Sequence, residues 1–296
     1  MKKLFLSILL PLAFSAGVSA QTHFETPEKA VQGFRAALAQ KGDGAVLKLF
    51  GPEGGKLLDP TPDGRKETSR LLQLLFKERW MLAKLEGDDR KLLRLGDEGW
   101  PFPVTLAKND QGWYFDAAAG VEEILNRRIG RNELLNIETL GQIKQAEDIF
   151  RAKTGHYTSQ AGSTPGKHDG LYWTVTGNEK HSPLEDTLKD SAKYAKGRVK
   201  GSPWFGYRYH FLKSQGAAAP GGAQNYVING KQTGGWAVIA YPAAYGKTGV
   251  MSFMCGPNGR IYERDLGADT VTAAKAITVF DPDSTWNKVD PEFIRR

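Results

Sequence analysis

The chain has 296 residues, a formal net charge of +7 and one cysteine, Cys255. This length accommodates two domains of ordinary size, and a single cysteine excludes an intrachain disulfide. Cys255 ends a strand-like apolar segment, which favours a buried, inert thiol over a nucleophile paired with a distant histidine. Lysine and arginine are interspersed with aspartate and glutamate, so the positive charge is spread along the chain.

The first 20 residues have the three regions of an export signal. Two lysines follow the first methionine, residues 4–17 are mostly apolar, and small side chains end at Ala20. A membrane anchor needs about 20 apolar residues, and Pro11 interrupts this shorter run. We expect cleavage near Ala20 and a periplasmic or secreted protein that does not span the membrane. In that location an envelope protein or an anionic envelope polymer is a better partner than nucleic acid.

Residues 24–122 are predicted to form a first α+β domain. Thr26 can cap a helix that Pro27 begins, and two more helices are predicted at residues 45–50 and 67–85. Strands are predicted at residues 91–95, 102–108 and 113–115, separated by glycine-containing turns.

Residues 121–157 are predicted to form one long helix that ends the first domain and begins the second. Apolar residues recur three or four positions apart, the spacing of one helix face: Leu134, Ile137, Leu140, Ile143, Ala146 and Phe150. In the second domain, residues 123–296, a helix at 184–196 and strands at 206–212, 236–242, 250–255 and 260–263 follow. The predicted fold class is therefore α+β, with an antiparallel sheet packed on the long helix.

Two structural resemblances support this arrangement. Helices followed by a meander that ends in G-W-Y-F-D resemble the cone-shaped nuclear-transport-factor-like domain, over residues 24–122, which often encloses an apolar pocket. The pattern A-E-x-x-F-x-x-x-x-G-x-Y, from Ala146 to Tyr157, resembles the globular part of type IV pilins and type II secretion pseudopilins. Pilins place this helix at the mature N-terminus with an apolar first half. Here charged residues and a whole domain come first, so the resemblance does not imply filament assembly.

A third resemblance covers nearly the whole mature chain. Residues 124–134, 163–173, 219–253 and 280–286 resemble blocks of an exported bacterial family of unknown function, the 2950 series. That family has no established activity, so the resemblance implies no catalytic residue.

Residues 220–236 combine glycines with aromatic side chains. They are predicted to form either a mobile hairpin that carries a binding edge or a structural hairpin whose glycines only satisfy turns. In the first interpretation, aromatic side chains frame an apolar or sugar-stacking surface. The candidate ligand-binding residues are Trp204, Tyr207, Tyr209, Tyr226 and Trp236.

Two charged groups are further candidates. Basic residues in two rows are either a solvated face or a contact for an anionic lipid or polymer: Arg127, Arg128, Arg131, Lys189, Lys193 and Lys196. Acidic residues near the C-terminus are either ordinary turn residues or calcium ligands: Asp265, Asp269, Asp281 and Asp283. Their spacing does not match the known calcium-loop motif. No other cofactor is predicted.

Two functional hypotheses follow. The first is a non-enzymatic envelope protein, a binding or assembly module. The second is a hydrolase or other enzyme that uses a pocket in the first domain, with Asp, Glu or His as acid or base. No catalytic residue is assigned, because the chain has neither a G-x-S-x-G nor an H-E-x-x-H motif.

Overall fold

The structure, a computed structural model, describes residues 21–173, 181–187 and 201–290. The chain divides into two compact units, Met1–Leu125 and Asn126–Arg296, and one long helix contains the boundary between them. Helices and antiparallel strands occur in both units, which confirms the predicted α+β class. Within the described ranges, no helix is both long enough and apolar enough to cross a membrane.

The first helix of the first unit is capped by Thr26 as the sequence predicts. The Thr26 hydroxyl accepts a hydrogen bond from the Lys29 amide at 3.2 Å, and Thr61 caps the fourth helix in the same way. The helices are α1 (Pro27–Leu38), α2 (Gly44–Phe50), α3 (Gly54–Leu57) and α4 (Pro62–Glu78), with a short 3₁₀ turn at Gly51–Glu53.

The predicted helix at residues 67–85 is wrong at both ends. Helix α4 begins five residues earlier and ends at Glu78, and Trp80–Lys84 forms strand β1 instead. Arg79 has an extended backbone, and β1 pairs with β2 (Arg90–Leu95) so that Trp80 lies opposite Leu95. Tertiary pairing therefore overrides the helical propensity of this leucine-rich segment.

The remaining strands of the first unit are β3 (Trp100–Pro101), β4 (Leu106–Asn109) and β5 (Gly112–Phe115). The sheet is antiparallel, with strand order β1–β2–β4–β5 and β3 beside β2. Of the strand predicted at residues 102–108, only residues 106–108 are extended in β4, which continues to Asn109. Helices and sheet enclose a cluster of phenylalanine rings. The ring of Phe34 lies 5.2–5.7 Å from four others, which fill this interior: Phe50, Phe76, Phe102 and Phe115.

The second unit is arranged around helix α5 (Ala117–Thr154), which confirms the predicted long helix. The strands of its main sheet are β6 (Tyr207–Leu212), β9 (Ala237–Pro242), β10 (Met251–Cys255), β11 (Ile261–Asp265) and β13 (Asn287–Lys288). This sheet is antiparallel, with strand order β13–β11–β10–β9–β6.

One face of this sheet packs on α5. The buried helix residues are Ile137, Leu140, Ile143, Ala146 and Phe150, as the spacing predicts. Leu134 is the exception, because its side chain is 48% exposed and lies one turn before the packed face begins. The sheet residues on this side include Val238, Ala240, Phe253 and Cys255.

The opposite face of the same sheet carries a second core. It packs against helix α7 (Thr270–Ala276) and a small sheet with order β12–β7–β8, formed by Val279–Phe280, Ser214–Gln215 and Gln224–Asn225. Strand β9 is buried on both faces, which explains its continuous apolar sequence. Of the predicted helix at residues 184–196, the structure describes α6 (Pro183–Thr187), and the rest lies outside the described residues.

Candidate functional site

A short hairpin in the second unit presents two aliphatic side chains to solvent. Val227 and Ile228 are 54% and 49% exposed. The Ile228 and Lys231 backbones exchange hydrogen bonds of 2.8 and 3.0 Å. Between them, Asn229 and Gly230 have positive φ angles of 50° and 76°, the backbone of the tight turn that asparagine–glycine pairs favour. We call residues 226–231 the exposed hairpin.

The base of the exposed hairpin is held by buried contacts. Tyr226 is fully buried, and its hydroxyl donates to Gln215 Oε1 at 3.3 Å. Just beyond the hairpin, the Gln232 carbonyl accepts from the Tyr157 amide at 2.8 Å, and Gln232 Nε2 donates to the Thr158 carbonyl at 3.1 Å. The base is therefore fixed to the segment that follows α5, while the tip remains in solvent.

The five aromatic residues predicted to bind a ligand do not form one exposed surface. Tyr207 and Trp236 are fully buried between α5 and the sheet, and Tyr226 is fully buried in the core on the opposite face. Tyr209 and Trp204 are partly buried. Of these aromatic residues, the buried Tyr226 lies at the base of the exposed hairpin, and the exposed apolar groups of the hairpin are Val227 and Ile228.

The charged first half of α5 in the second unit binds the start of strand β10. Glu133 Oε1 accepts from the Val250 and Met251 amides at 2.9 and 3.0 Å. Nearby, the Tyr207 hydroxyl donates to the Met251 carbonyl at 2.8 Å. The pKa of Tyr207 and the pKa of the half-buried Glu263 are both raised. In both cases burial is the largest cause, and the negative charge of Glu133 is the second. Tyr207 therefore belongs to a polar network that fixes the helix to the sheet.

Tyr209 joins this network from the next position on the same sheet face. Its hydroxyl donates to Asn136 Oδ1 at 2.7 Å, and Asn136 is fully buried on α5. Two of the predicted ligand-binding residues thus have hydrogen-bonding roles between helix and sheet.

The predicted basic residues are described only in part. Arg128 and Arg131 are exposed on α5, and Arg127 is half-buried. Lys189, Lys193 and Lys196 lie outside the described residues. Contact of these two rows with an anionic surface stays a prediction.

The four aspartates predicted as calcium ligands lie at different places in the second unit. Three of them accept hydrogen bonds from different partners. Asp265 accepts from the Tyr245 hydroxyl at 3.0 Å, and Asp281 accepts from the Ala218 amide at 2.8 Å. Asp283 binds the Thr285 amide and hydroxyl, which lowers its pKa, and Asp269 precedes α7. In the part of the chain that the structure describes, no group of three or more His, Cys, Asp or Glu side chains is placed to hold a metal ion. The structure does not bring these carboxylates together.

Cys255 and Glu147 are two fully buried titratable groups of the second unit. Cys255 is fully buried, which confirms the expected buried thiol, and burial raises its pKa to about 12. Glu147 is also fully buried, and burial raises its pKa to about 8. Glu147 Oε2 accepts from the Thr158 amide at 3.1 Å, whereas Oε1 has no hydrogen-bond partner among the described residues.

Comparison with known families identifies the chain. The family model described as "Protein of unknown function (DUF2950)" matches residues 21–289. The chain belongs to this family. No curated protein and no solved structure matches it. For this DUF2950 protein, the resemblances to pilins and to nuclear-transport-factor-like domains stay predictions.

In this DUF2950 protein the exposed hairpin lies within the hairpin predicted for residues 220–236, but Val227 and Ile228 were not among the predicted binding residues. They directly precede an asparagine–glycine pair, a pattern that places them beside the turn. Their exposure could not have been read from the sequence, because consecutive apolar residues are equally typical of a strand buried on both faces.

Proposed function

We propose that this DUF2950 protein is a non-enzymatic binding module located outside the cytoplasm, and that the exposed hairpin contacts an apolar groove on an envelope protein. The observation that carries the proposal is the contrast between a buried, hydrogen-bonded base and two solvent-exposed aliphatic side chains at the tip. Binding residues are commonly placed on loops that a rigid scaffold holds in position.

The shape of the tip favours binding over a purely structural role. Valine and isoleucine have restricted χ1 rotamers, so these side chains lose little conformational freedom when a partner covers them. About half of each side chain is exposed. Burying the exposed halves contributes about 2 kcal/mol, or about 30-fold in Kd.

The proposed location rests on the export signal predicted for residues 1–20. Lys231, exposed at the end of the same hairpin, supports a partner that also carries negative charge.

The enzyme alternative has less support. It requires a titratable group with a perturbed pKa inside a pocket of the first domain. Among the residues that the structure describes, the carboxyl groups with a raised pKa are Glu147 and Glu263, and both belong to the second unit. Phenylalanine rings fill the interior of the first unit.

The proposal can be tested by site-specific photo-crosslinking in native cells. A photoreactive amino acid at position 228 should yield an adduct with a specific envelope protein. The double variant Val227→Thr, Ile228→Thr keeps β-branched side chains and should weaken binding of that protein about tenfold.

The matched control is Leu71→Gln, Leu74→Gln, because these two leucines on α4 are 54% and 46% exposed. It removes a similar exposed apolar area and should leave binding unchanged. An equal loss of binding affinity in both double variants would refute the role of the hairpin. The absence of any crosslinked adduct from position 228 would refute it as well.

A further inference from the structure

An open cleft of about 460 Å³ lies in the first unit, between the end of α1 and one face of α4. Residues 38–43 contribute to one wall. The α4 side chains of the other wall recur three or four positions apart, so they share one helix face. They are Pro62, Arg65, Lys66, Ser69, Arg70 and Gln73.

Hydrogen bonds from α4 fix the opposite wall. Arg65 Nε lies 2.7 Å from Asp43 Oδ2, and its Nη1 donates to the Asp59 and Pro60 carbonyls at 3.0 and 3.1 Å. Gln73 Nε2 donates to the Leu38 carbonyl at 2.6 Å. The charge of Arg65 is therefore compensated by Asp43, and these contacts set the width of the cleft before any ligand binds.

The remaining charges of the cleft are positive. The Lys66 ammonium makes no ion pair or hydrogen bond with any other residue that the structure describes. Arg70 has a 3.6 Å contact with Glu67, and both side chains are largely exposed, so this pair contributes little. Ser69, between these two cations on the same face, adds a hydroxyl group.

We propose that this cleft binds the phosphate groups of an acidic polymer, with Lys66 and Arg70 as the charged contacts. The two cations lie four residues apart on α4, so their side chains are neighbours. A phosphate group presents oxygens in several directions and can accept from both cations and from the Ser69 hydroxyl, whereas the two oxygens of a carboxylate lie in one plane.

The open shape of the cleft favours a polymer over a single small anion. Ion pairs that stay in contact with water contribute little individually. When one phosphate of a polymer leaves the cleft, its neighbours on the same chain are still close to the cleft at a high effective concentration. The polymer is therefore retained although each single contact is weak. This site is independent of the exposed hairpin.

The test is a calorimetric titration of the mature protein with polyphosphate at low ionic strength, which measures the binding affinity. The double variant Lys66→Ala, Arg70→Ala should weaken binding about five- to tenfold. The control Lys77→Ala, Arg79→Ala removes the same charge from exposed positions that do not line the cleft, and should change binding less than about twofold.

Four results would overturn the inference. Failure of the wild-type protein to bind polyphosphate would do so, and an equal loss of affinity in the control and the cleft variant would indicate general attraction to a basic protein. Equal binding of polyglutamate would refute the assignment to phosphate, and equal affinity for inorganic phosphate would refute the assignment to a polymer. Thermal denaturation of each variant separates loss of binding from loss of folding.

Discussion

Replacing Glu147 by glutamine should remove a large pH dependence from the stability of the second unit. The carboxyl group is fully buried, and its pKa rises from the ordinary 4.5 to about 8 in the folded state. Between these two values, the folded state keeps a proton that the unfolded state has lost. Stability from this group is therefore fully present below pH 4.5 and is lost as the pH rises through 8.

The magnitude follows from the separation of the two pKa values. Stability falls by about 1.4 kcal/mol per pH unit between them, so the whole effect approaches about 5 kcal/mol. Glutamine is neutral at every pH, and its side-chain oxygen can still accept from the Thr158 amide. The stability of Glu147→Gln relative to the wild-type protein should therefore increase by about 4 kcal/mol from pH 5 to pH 9.

The assay uses Cys255 as the reporter, because this only thiol of the chain is fully buried in the second unit, which also contains Glu147. The fraction of unfolded second unit is measured by pulse labelling of the thiol in increasing denaturant at pH 5, 7 and 9. Labelling rates are normalised to the fully unfolded chain, so that the intrinsic pH dependence of thiolate formation cancels.

The control is Glu138→Gln, an exposed position on the same helix. It should show the pH dependence of the wild-type protein, because an exposed carboxylate keeps its contact with water when the protein folds. If Glu147→Gln and Glu138→Gln had the same slope of stability against pH, burial of the Glu147 carboxyl would not control this dependence, and the reasoning would be wrong.

Four further predictions concern stability and reactivity. Glu133→Ala should destabilise the second unit by about 2 kcal/mol in denaturant unfolding, because two backbone amides of β10 and its preceding residue lose their acceptor. Gly141→Ala should stabilise α5 by about 0.5–1 kcal/mol, because a Cβ there meets nothing within 4 Å. Gly120→Ala should lower the melting temperature, because its Cβ would lie 2.7 Å from a valine methyl group. Cys255 should resist thiol reagents at pH 8 until the protein unfolds, and rapid labelling under native conditions would contradict its burial.

Local patterns were sufficient to predict the principal elements of the second unit. The apolar spacing along α5 matches one helix face, and β6, β9, β10 and β11 lie within about two residues of the strands predicted from composition and turns. These signals depend on residues that are close together in the sequence. The boundary between α4 and β1 was not predictable in this way, because Trp80 is extended only through its pairing with Leu95.

The candidate site depended almost entirely on tertiary structure. Tyr207, Tyr226 and Trp236 have the composition of a binding surface, but the sheet and its covering layers bury them. Glu147 follows a helical pattern that is equally compatible with an exposed carboxylate, whereas in the structure it is fully buried and accepts from the Thr158 amide. Exposure is set by which segments cover a side chain, and those segments are distant in the sequence. For this reason, residue type and spacing predicted the helices and strands, whereas only the packed structure distinguished the exposed hairpin from the aromatic core beneath it.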